Sequence, residues 1–303
     1  MTIYQDIPGA RKWGKIEEVK KGWSLEKKFK ITLESGESQL LRIVDREQTE
    51  RKQREFKLLS DLKPLNIWMS TPLETGICNE GKSVYTIFTW LEGQDAEILL
   101  PYYSTEEQYA LGIKAGKILK KLHSHSAPRD QKSWEKRYNN KIDIKIRAYQ
   151  ECGIALKGDQ YYLDYIDQQR ELLNDRPQSF QHGDYHIGNM ILNDKKELGI
   201  IDFNRFNFGD PWEEFNRMTY SAEVSREFAT GLINGYFDGK VATKFFKLMK
   251  LYIAVNQISA LPWALKYGIT DVKRMKDLSR KTLESYNNFS EDIPKWYKSE
   301  VYG

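Results

Sequence analysis

Near Gly93 the hydrophobic period of the chain changes, and that change restricts the available folds more than any other feature. Before it, apolar residues come in short runs cut by turn chemistry. Ile16 to Val19 and Lys28 to Leu33 flank KKGWSLE, and Gln39 to Val44 follows the tight ESGES turn. Runs of this length between turns predict an antiparallel meander. From Glu50 to Leu62, the residues Phe56, Leu58, Leu59 and Leu62 recur at helical spacing until Pro64 stops them. SVYTIFTW, Ser83 to Trp90, then alternates as a half-buried or central strand does.

After Gly93 the helical period takes over. Ser104 with Glu107, and Thr105 with Gln108, each match a capping box, and Leu111, Ala115, Ile118, Leu119 and Leu122 form one apolar stripe. Further helices are expected around Tyr161 to Leu173, Ser225 to Tyr236 and Thr243 to Leu261. A strand-rich part with one helix, followed by a larger helical part, predicts an α+β chain of two lobes, 1–91 and 92–303. At 303 residues the chain is long enough for two such bodies.

Charge excludes some functions. The formal net charge is +4, with 16 basic against 13 acidic residues in 1–91, so neither part is a concentrated cationic surface and no nucleic-acid partner is expected. The longest apolar region, LYIAVNQISALPWAL, is broken by Asn256, Gln257, Ser259 and Pro262 and reads as buried helix, so no membrane partner is expected. MTIYQDIPGARKWG lacks the features of a signal peptide, and Cys78 and Cys152 give no disulfide framework. A cytoplasmic location is the expectation.

The chemistry is concentrated in the middle of the helical part. QHGDYHIGNM places His182, Asp184 and His186 on alternate positions, with Asn189 just beyond. After Asn189 come the apolar run Met190 to Leu192, the polar NDKKE, and a second run, Leu198 to Ile201, that ends at Asp202. This is a hairpin signal. An antiparallel hairpin brings its flanking residues, Asn189 and Asp202, to one end. An amide oxygen and a carboxylate suit octahedral Mg²⁺, which takes one or two protein carboxylates plus substrate phosphates. The competing reading is a zinc cage of His182, Asp184 and His186 on one strand face. That reading leaves the hairpin and Asp202 without a purpose.

HGDYHIGN, the downstream IIDF, and GDPWEEF from Gly209 to Phe215 together resemble the aminoglycoside phosphotransferase family of small-molecule kinases. The resemblance covers most of the chain and implies a bilobal protein-kinase-like fold. It implies Asp184 as general base, Asn189 and Asp202 as Mg²⁺ ligands, and His182 as a support of the loop. In such kinases the transferred group needs little covalent chemistry, so positioning and charge neutralisation carry the reaction.

The same resemblance sets expectations for the front lobe. KKGWSLEKK would cover the nucleotide phosphates, with Gly22 at the close approach and Ser24 as a donor. QLLRIVD places Arg42 where the family usually carries a lysine, an exchange that is not conservative at a bidentate phosphate site. Glu55 in REFKLL is the expected ion-pair partner of Arg42, with Glu50 as the alternative. Thr89 to Leu91 would hold the purine of ATP or GTP, behind Phe88.

Only seven residues separate Asp202 from Asp210, DFN stands where protein kinases carry DFG, and Gly183 stands in place of their arginine. A small-molecule hydroxyl acceptor is therefore expected, and no protein substrate. Aminoglycosides are the family's acceptors. However, Asp164, Asp167, Glu171, Glu213, Glu214, Glu291 and Asp292 do not form a cluster above background, so macrolides, peptide antibiotics, choline and sugars stay open. Arg42 and the glycine-poor turn also leave open a catalytically weak nucleotide-binding module on the same scaffold.

Overall fold

The computed structural model describes residues 2–20 and 26–298. The chain forms two compact units, Met1–Gln94 with Ile191–Asn204, and Asp95–Met190 with Arg205–Gly303.

The first unit is built on a five-stranded antiparallel sheet: β1 (Trp13–Glu18), β2 (Lys27–Leu33), β3 (Ser38–Asp45), β4 (Pro72–Cys78) and β5 (Ser83–Thr89). Its order is β1-β2-β3-β5-β4, so the expected meander holds for the first three strands and β5 then inserts between β3 and β4. Strand β4 was not anticipated. Its sequence PLETGIC breaks alternation with Glu74 and Gly76, and its leading Pro72 is tolerated because the strand lies at the sheet edge. Ile31, Leu41, Ile43, Tyr85 and Ile87 fill one core over this sheet. Helix α1 (Thr49–Asp61) buries Lys52 and Glu55 together with Leu58 and Leu59, so charged residues lie on its inner face.

The predicted hairpin exists as β8 (Met190–Leu192) and β9 (Leu198–Ile200), which are neighbours in a small sheet. Its second strand is tied to the segment after α1. Ile200 N donates to Trp68 O at 3.0 Å, and Ser70 N donates to Ile200 O at 3.0 Å.

The second unit is helical: α2 (Ala96–Leu99), α3 (Thr105–Leu122), α4 (Trp134–Glu151), α5 (Asp159–Gln168), α6 (Met218–Val224), α7 (Arg226–Phe237), α8 (Thr243–Ala264) and α9 (Ile269–Ser285). The short β6 (Gln94–Asp95) precedes it, and β7 (Ser179–Gln181) pairs antiparallel with β10 (Asn207–Gly209) inside it. Of the two capping boxes expected at the start of α3, the one formed is Ser104 with Glu107. The expected helix to Leu173 ends earlier, and its last residues form a separate 3₁₀ turn, Arg170–Leu173. Helices α4 and α9 escaped the sequence reading because charged residues crowd between their buried positions, such as Trp134, Tyr138 and Ile142 in α4. Helix α8 is buried along most of its length, as expected. Among the described residues, no helix is long and apolar enough to cross a membrane.

Helices α3 and α7 approach each other through glycines on both sides. A Cβ on Gly116 would lie 2.1 Å from Leu232 O, and one on Gly235 would lie 2.3 Å from Ile113 O. The two backbones cannot yield to a methyl group without moving apart. Gly116→Ala is therefore expected to lower stability by about 1–3 kcal/mol, although alanine is the better helix former by about 1 kcal/mol. Urea unfolding checks this, and an equal or higher midpoint would disprove the close-approach argument.

Candidate active site

The loop that carries Asp184 leaves β7 and is shaped by buried groups of the second unit. Gly183 has φ +82°, and a Cβ there would lie 2.0 Å from Arg205 O, so the position is closed to any other residue. Glu214 accepts the backbone N–H groups of His182 at 2.8 Å and Gly183 at 2.7 Å. Burial pushes the Glu214 carboxyl up to about 8, and the charge of Glu213 adds to this, against the two N–H groups that favour the anion. His182 is fully buried, and its Nδ1 accepts Asp184 N–H at 3.2 Å. His182, Asp184 and His186 do not share a strand, and no group of three metal-type ligands exists among the described residues. The zinc reading therefore has no site here.

Asp184 is a mostly buried carboxylate among cations. Arg217 Nε lies 2.5 Å from its Oδ1, Arg205 Nε lies 3.6 Å from its Oδ2, and His186 Nε2 lies 3.4 Å from Oδ1. His186 Nδ1 accepts Gly188 N–H at 3.1 Å, so a neutral His186 carries its proton on Nε2, toward Asp184. Burial would raise the Asp184 pKa, but Arg217 first, then His186 and Arg205, hold it well below the usual carboxylate range. Asp184 Oδ1 and Arg217 Nε are too poorly aligned for a hydrogen bond, so charge holds the pair together. Asn189 Nδ2 donates to Asp184 O at 2.9 Å, which leaves the amide oxygen of Asn189 as its acceptor atom.

GDPWEEF supplies the support beneath this loop. Asp210 is fully buried and takes a two-pronged ion pair from Arg176, Nε to Oδ2 at 2.7 Å and Nη2 to Oδ1 at 2.9 Å. Tyr252 donates its hydroxyl to the same carboxylate at 2.6 Å. Glu213 pairs with Lys141 at 2.8 Å. These carboxylates are occupied with partners inside the chain.

The first unit holds a second charged cluster. Arg42, on β3, is 6% exposed and is engaged by Glu26, with Nε to Oε2 at 2.6 Å and Nη2 also in contact, by Glu55 Oε1 at 3.5 Å, and by Asp202 Oδ1 at 3.9 Å. Glu55 is thus among the partners of Arg42 as expected, whereas Glu50 is exposed in the first turn of α1. Sequence reasoning missed two members, Glu26 and Lys52. Lys52 Nζ reaches Glu55 at 2.7 Å and Glu26 at 2.5 Å. Three carboxylates thus face two cations. Asp202 follows β9 in a left-handed conformation, φ +65°, and its Oδ1 is buried without a hydrogen-bond partner. A carboxylate oxygen without a hydrogen bond, in a cluster one negative charge in excess, fits a divalent cation.

Gly22 and Ser24 of the expected phosphate turn lie outside the described residues, whereas Glu26, toward its end, is in the Arg42 cluster. At the end of β5, the main-chain groups of Thr89 are already used, its N–H by Thr71 O at 2.9 Å and its C=O by Ser70 Oγ at 3.3 Å. Leu91 is buried. Phe88 is buried beneath Arg42, whose guanidinium carbon lies 5.5 Å from the ring centroid.

Among solved structures, the chain is similar to the GDP complex of a mutant aminoglycoside 2'-phosphotransferase-IIIa, with 16% identity over 92% of this chain and 94% of that one and a TM-score of 0.70. It is also similar to APH(2")-IIa in a ternary complex with streptomycin and ATP, with 16% identity, coverage of 89% and 92%, and a TM-score of 0.60. A choline/ethanolamine kinase family protein from Mesorhizobium loti matches at 16% identity, coverage of 91% and 92%, and a TM-score of 0.62. At such identities the likeness shows the fold, which is the bilobal protein-kinase-like α+β architecture. A comparison with curated proteins gives no match. The model of the phosphotransferase enzyme family, however, matches residues 15–246, which takes in most of β1, the Arg42 cluster, the Asp184 loop, the hairpin and GDPWEEF. With that span matched, the chain belongs to the phosphotransferase enzyme family.

Proposed function

We propose that this protein transfers the γ-phosphoryl group of ATP or GTP to a hydroxyl of a small molecule, with Mg²⁺ as cofactor. The observation that carries the proposal is Asp184: a carboxylate on a loop held rigid by His182, Gly183 and Glu214, charged at any physiological pH, with an oxygen free of hydrogen bonds.

Asp184 acts as the general base. It accepts and orients the acceptor hydroxyl and takes its proton as the hydroxyl oxygen bonds to the γ-phosphorus and the bridging oxygen leaves with the nucleoside diphosphate. A carboxylate whose pKa is held down is a weak base, so its contribution is chiefly orientation, with proton transfer late. Asn189 and Asp202, which flank the hairpin, are the residues assigned to hold Mg²⁺, through an amide oxygen and a carboxylate. Bound there, Mg²⁺ would neutralise charge on the phosphates.

Arg42 is assigned to the α- and β-phosphates, held in position by Glu55 and Glu26, and Lys52 brings a second cation to the same cluster. Ser24 is assigned to the phosphates, and Thr89 to Leu91 to the purine. Because the Thr89 main-chain groups are used, Leu91 is the better candidate for the contact. A protein substrate is disfavoured because part of the short segment after Asp202 is fixed as β10 against β7. Two free cysteines suit a reducing cytoplasm.

Release of nucleoside diphosphate from ATP and from GTP, followed across a panel of acceptors and Mg²⁺ concentrations, tests this reading. Asp202→Ala is expected to raise the Mg²⁺ requirement about 10–100-fold, as removal of groups that tune metal sites does. An unchanged Mg²⁺ dependence would remove Asp202 from the site. A second reading, a nucleotide-binding module with little transfer, is favoured by the deep engagement of Arg42 with Glu26. It predicts nucleotide binding without Mg²⁺-dependent turnover on any acceptor.

A further inference from the structure

The surroundings of Asp184 in the second unit are cationic. Arg217 and Arg205 both face its carboxylate. Lys141 and Lys145 lie one helical turn apart on α4. Lys141 is paired with Glu213, but Lys145 is half-buried and has neither a hydrogen bond nor a salt bridge among the described residues. Lys145 lies within electrostatic reach of Lys141, Arg217 and Arg205, with Glu213 as the carboxylate offsetting them. Tyr220 stands under Arg217, 5.8 Å from ring centroid to guanidinium, and also senses Arg274.

The nearby carboxylates do not balance this set. Asp143, between the two lysines in sequence, is used by Arg170 at 2.8 Å. Glu214 is bound by two N–H groups, and burial favours its neutral form. Glu97 lies against Gly188, where a Cβ would come within 2.9 Å of its Oε2. A half-buried ammonium among like charges is unfavourable unless an anion completes its surroundings. Burial, with Lys141 adding, pulls Lys145 down to about 7, the behaviour of a site that lacks such an anion.

Resting on the phosphotransferase reading, we propose that the acceptor is an anionic hydroxy compound, its negative group held by Lys145, Arg205 and Arg217 while a hydroxyl reaches Asp184. The shared chemistry is a hydroxyl near a carboxylate or a phosphate monoester. A polycation such as an aminoglycoside would meet these side chains with like charge.

The test uses the full chain and a matched set of probes: gluconate, glucose 6-phosphate, glucose, glucosamine and kanamycin. Release of nucleoside diphosphate and calorimetric binding to the Mg²⁺-ADP form are both measured. Gluconate or glucose 6-phosphate should bind or stimulate at least about tenfold better than glucose, as expected for one charge-assisted contact. Whichever of the two prevails identifies the carboxylate or the phosphate as the charged group. Lys145→Gln, and the exposed-site variant Arg205→Gln as a control against misfolding, should each weaken that anion about tenfold and leave ADP affinity within about twofold. Preference for glucose, glucosamine or kanamycin, equal response to all, or silence of both anions overturns the proposal. So does a loss confined to nucleotide affinity, which would place these cations on the phosphates instead. Failure of ADP to bind at all, read with no acceptor present, would sink the phosphotransferase reading itself.

Discussion

Asp184→Asn should reduce kcat by about 10²–10⁴-fold, the range for removing a general base, while ADP binding persists. Asparagine keeps the shape but cannot accept a proton, and it leaves Arg217 and Arg205 without their shared anion. Loss of kcat with intact calorimetric ADP binding separates this outcome from unfolding. Retention of activity within about tenfold would mean that another group takes the proton. The acid side follows from the same geometry. The folded pKa of Asp184 is depressed, so the stability gained from its ion pairs is present above the unfolded pKa, near 4, and is lost only as pH falls through the folded value. Any activity loss between pH 5 and 8 must therefore arise in another group, and Asp184→Asn should melt lower than the parent at pH 7.

The loop, the hairpin and the change from a strand-rich to a helical part were legible because each has a local signature. Alternation and turn residues mark β2, β3 and β5, and HGDYHIGN followed by two short apolar runs and IIDF has few other uses. What could not be read are the partners that charge the site. Lys52, Glu26 and Arg217 are long charged residues in segments full of charge, and in sequence they look like solvated surface. Lys52 sits three residues before Glu55, the ordinary spacing of a surface helix pair, and only the fold turns that pair inward. The signal available for Lys52 was its position on the apolar side of α1, since it falls one turn before Glu55 and two before Leu59. Arg217 had no such signal, because its 3₁₀ segment lacks a periodic face. Strand β4 escaped for a different reason: an edge strand needs only one partner and tolerates Pro72 and Gly76.

Arg42→Ala should act on stability and on nucleotide binding together. The guanidinium donates through Nε and Nη2 to Glu26 Oε2 and is the partner of the almost fully buried Glu55. Removing one partner of a buried ion pair typically costs about 3–5 kcal/mol, because the remaining charge stays buried without compensation. Lys52 cannot replace it, since its ammonium already serves both Glu26 and Glu55. Asp202 would also lose its nearest cation, at 3.9 Å, and the cluster would hold three carboxylates against one lysine. Nucleotide phosphates would then meet excess negative charge, so the nucleotide KM should rise strongly. Arg42→Lys should fall between, because a single ammonium cannot reach Glu26 through two nitrogens and Glu55 through a third. The double variant Arg42→Ala with Glu26→Gln should recover part of the stability without restoring nucleotide affinity. Urea unfolding and the nucleotide KM, measured on all three variants, separate the two roles. A stable Arg42→Ala protein with unchanged KM would show that Arg42 serves neither. An unstable one whose folded fraction keeps its KM would show that Arg42 holds the cluster together while Lys52 meets the phosphates.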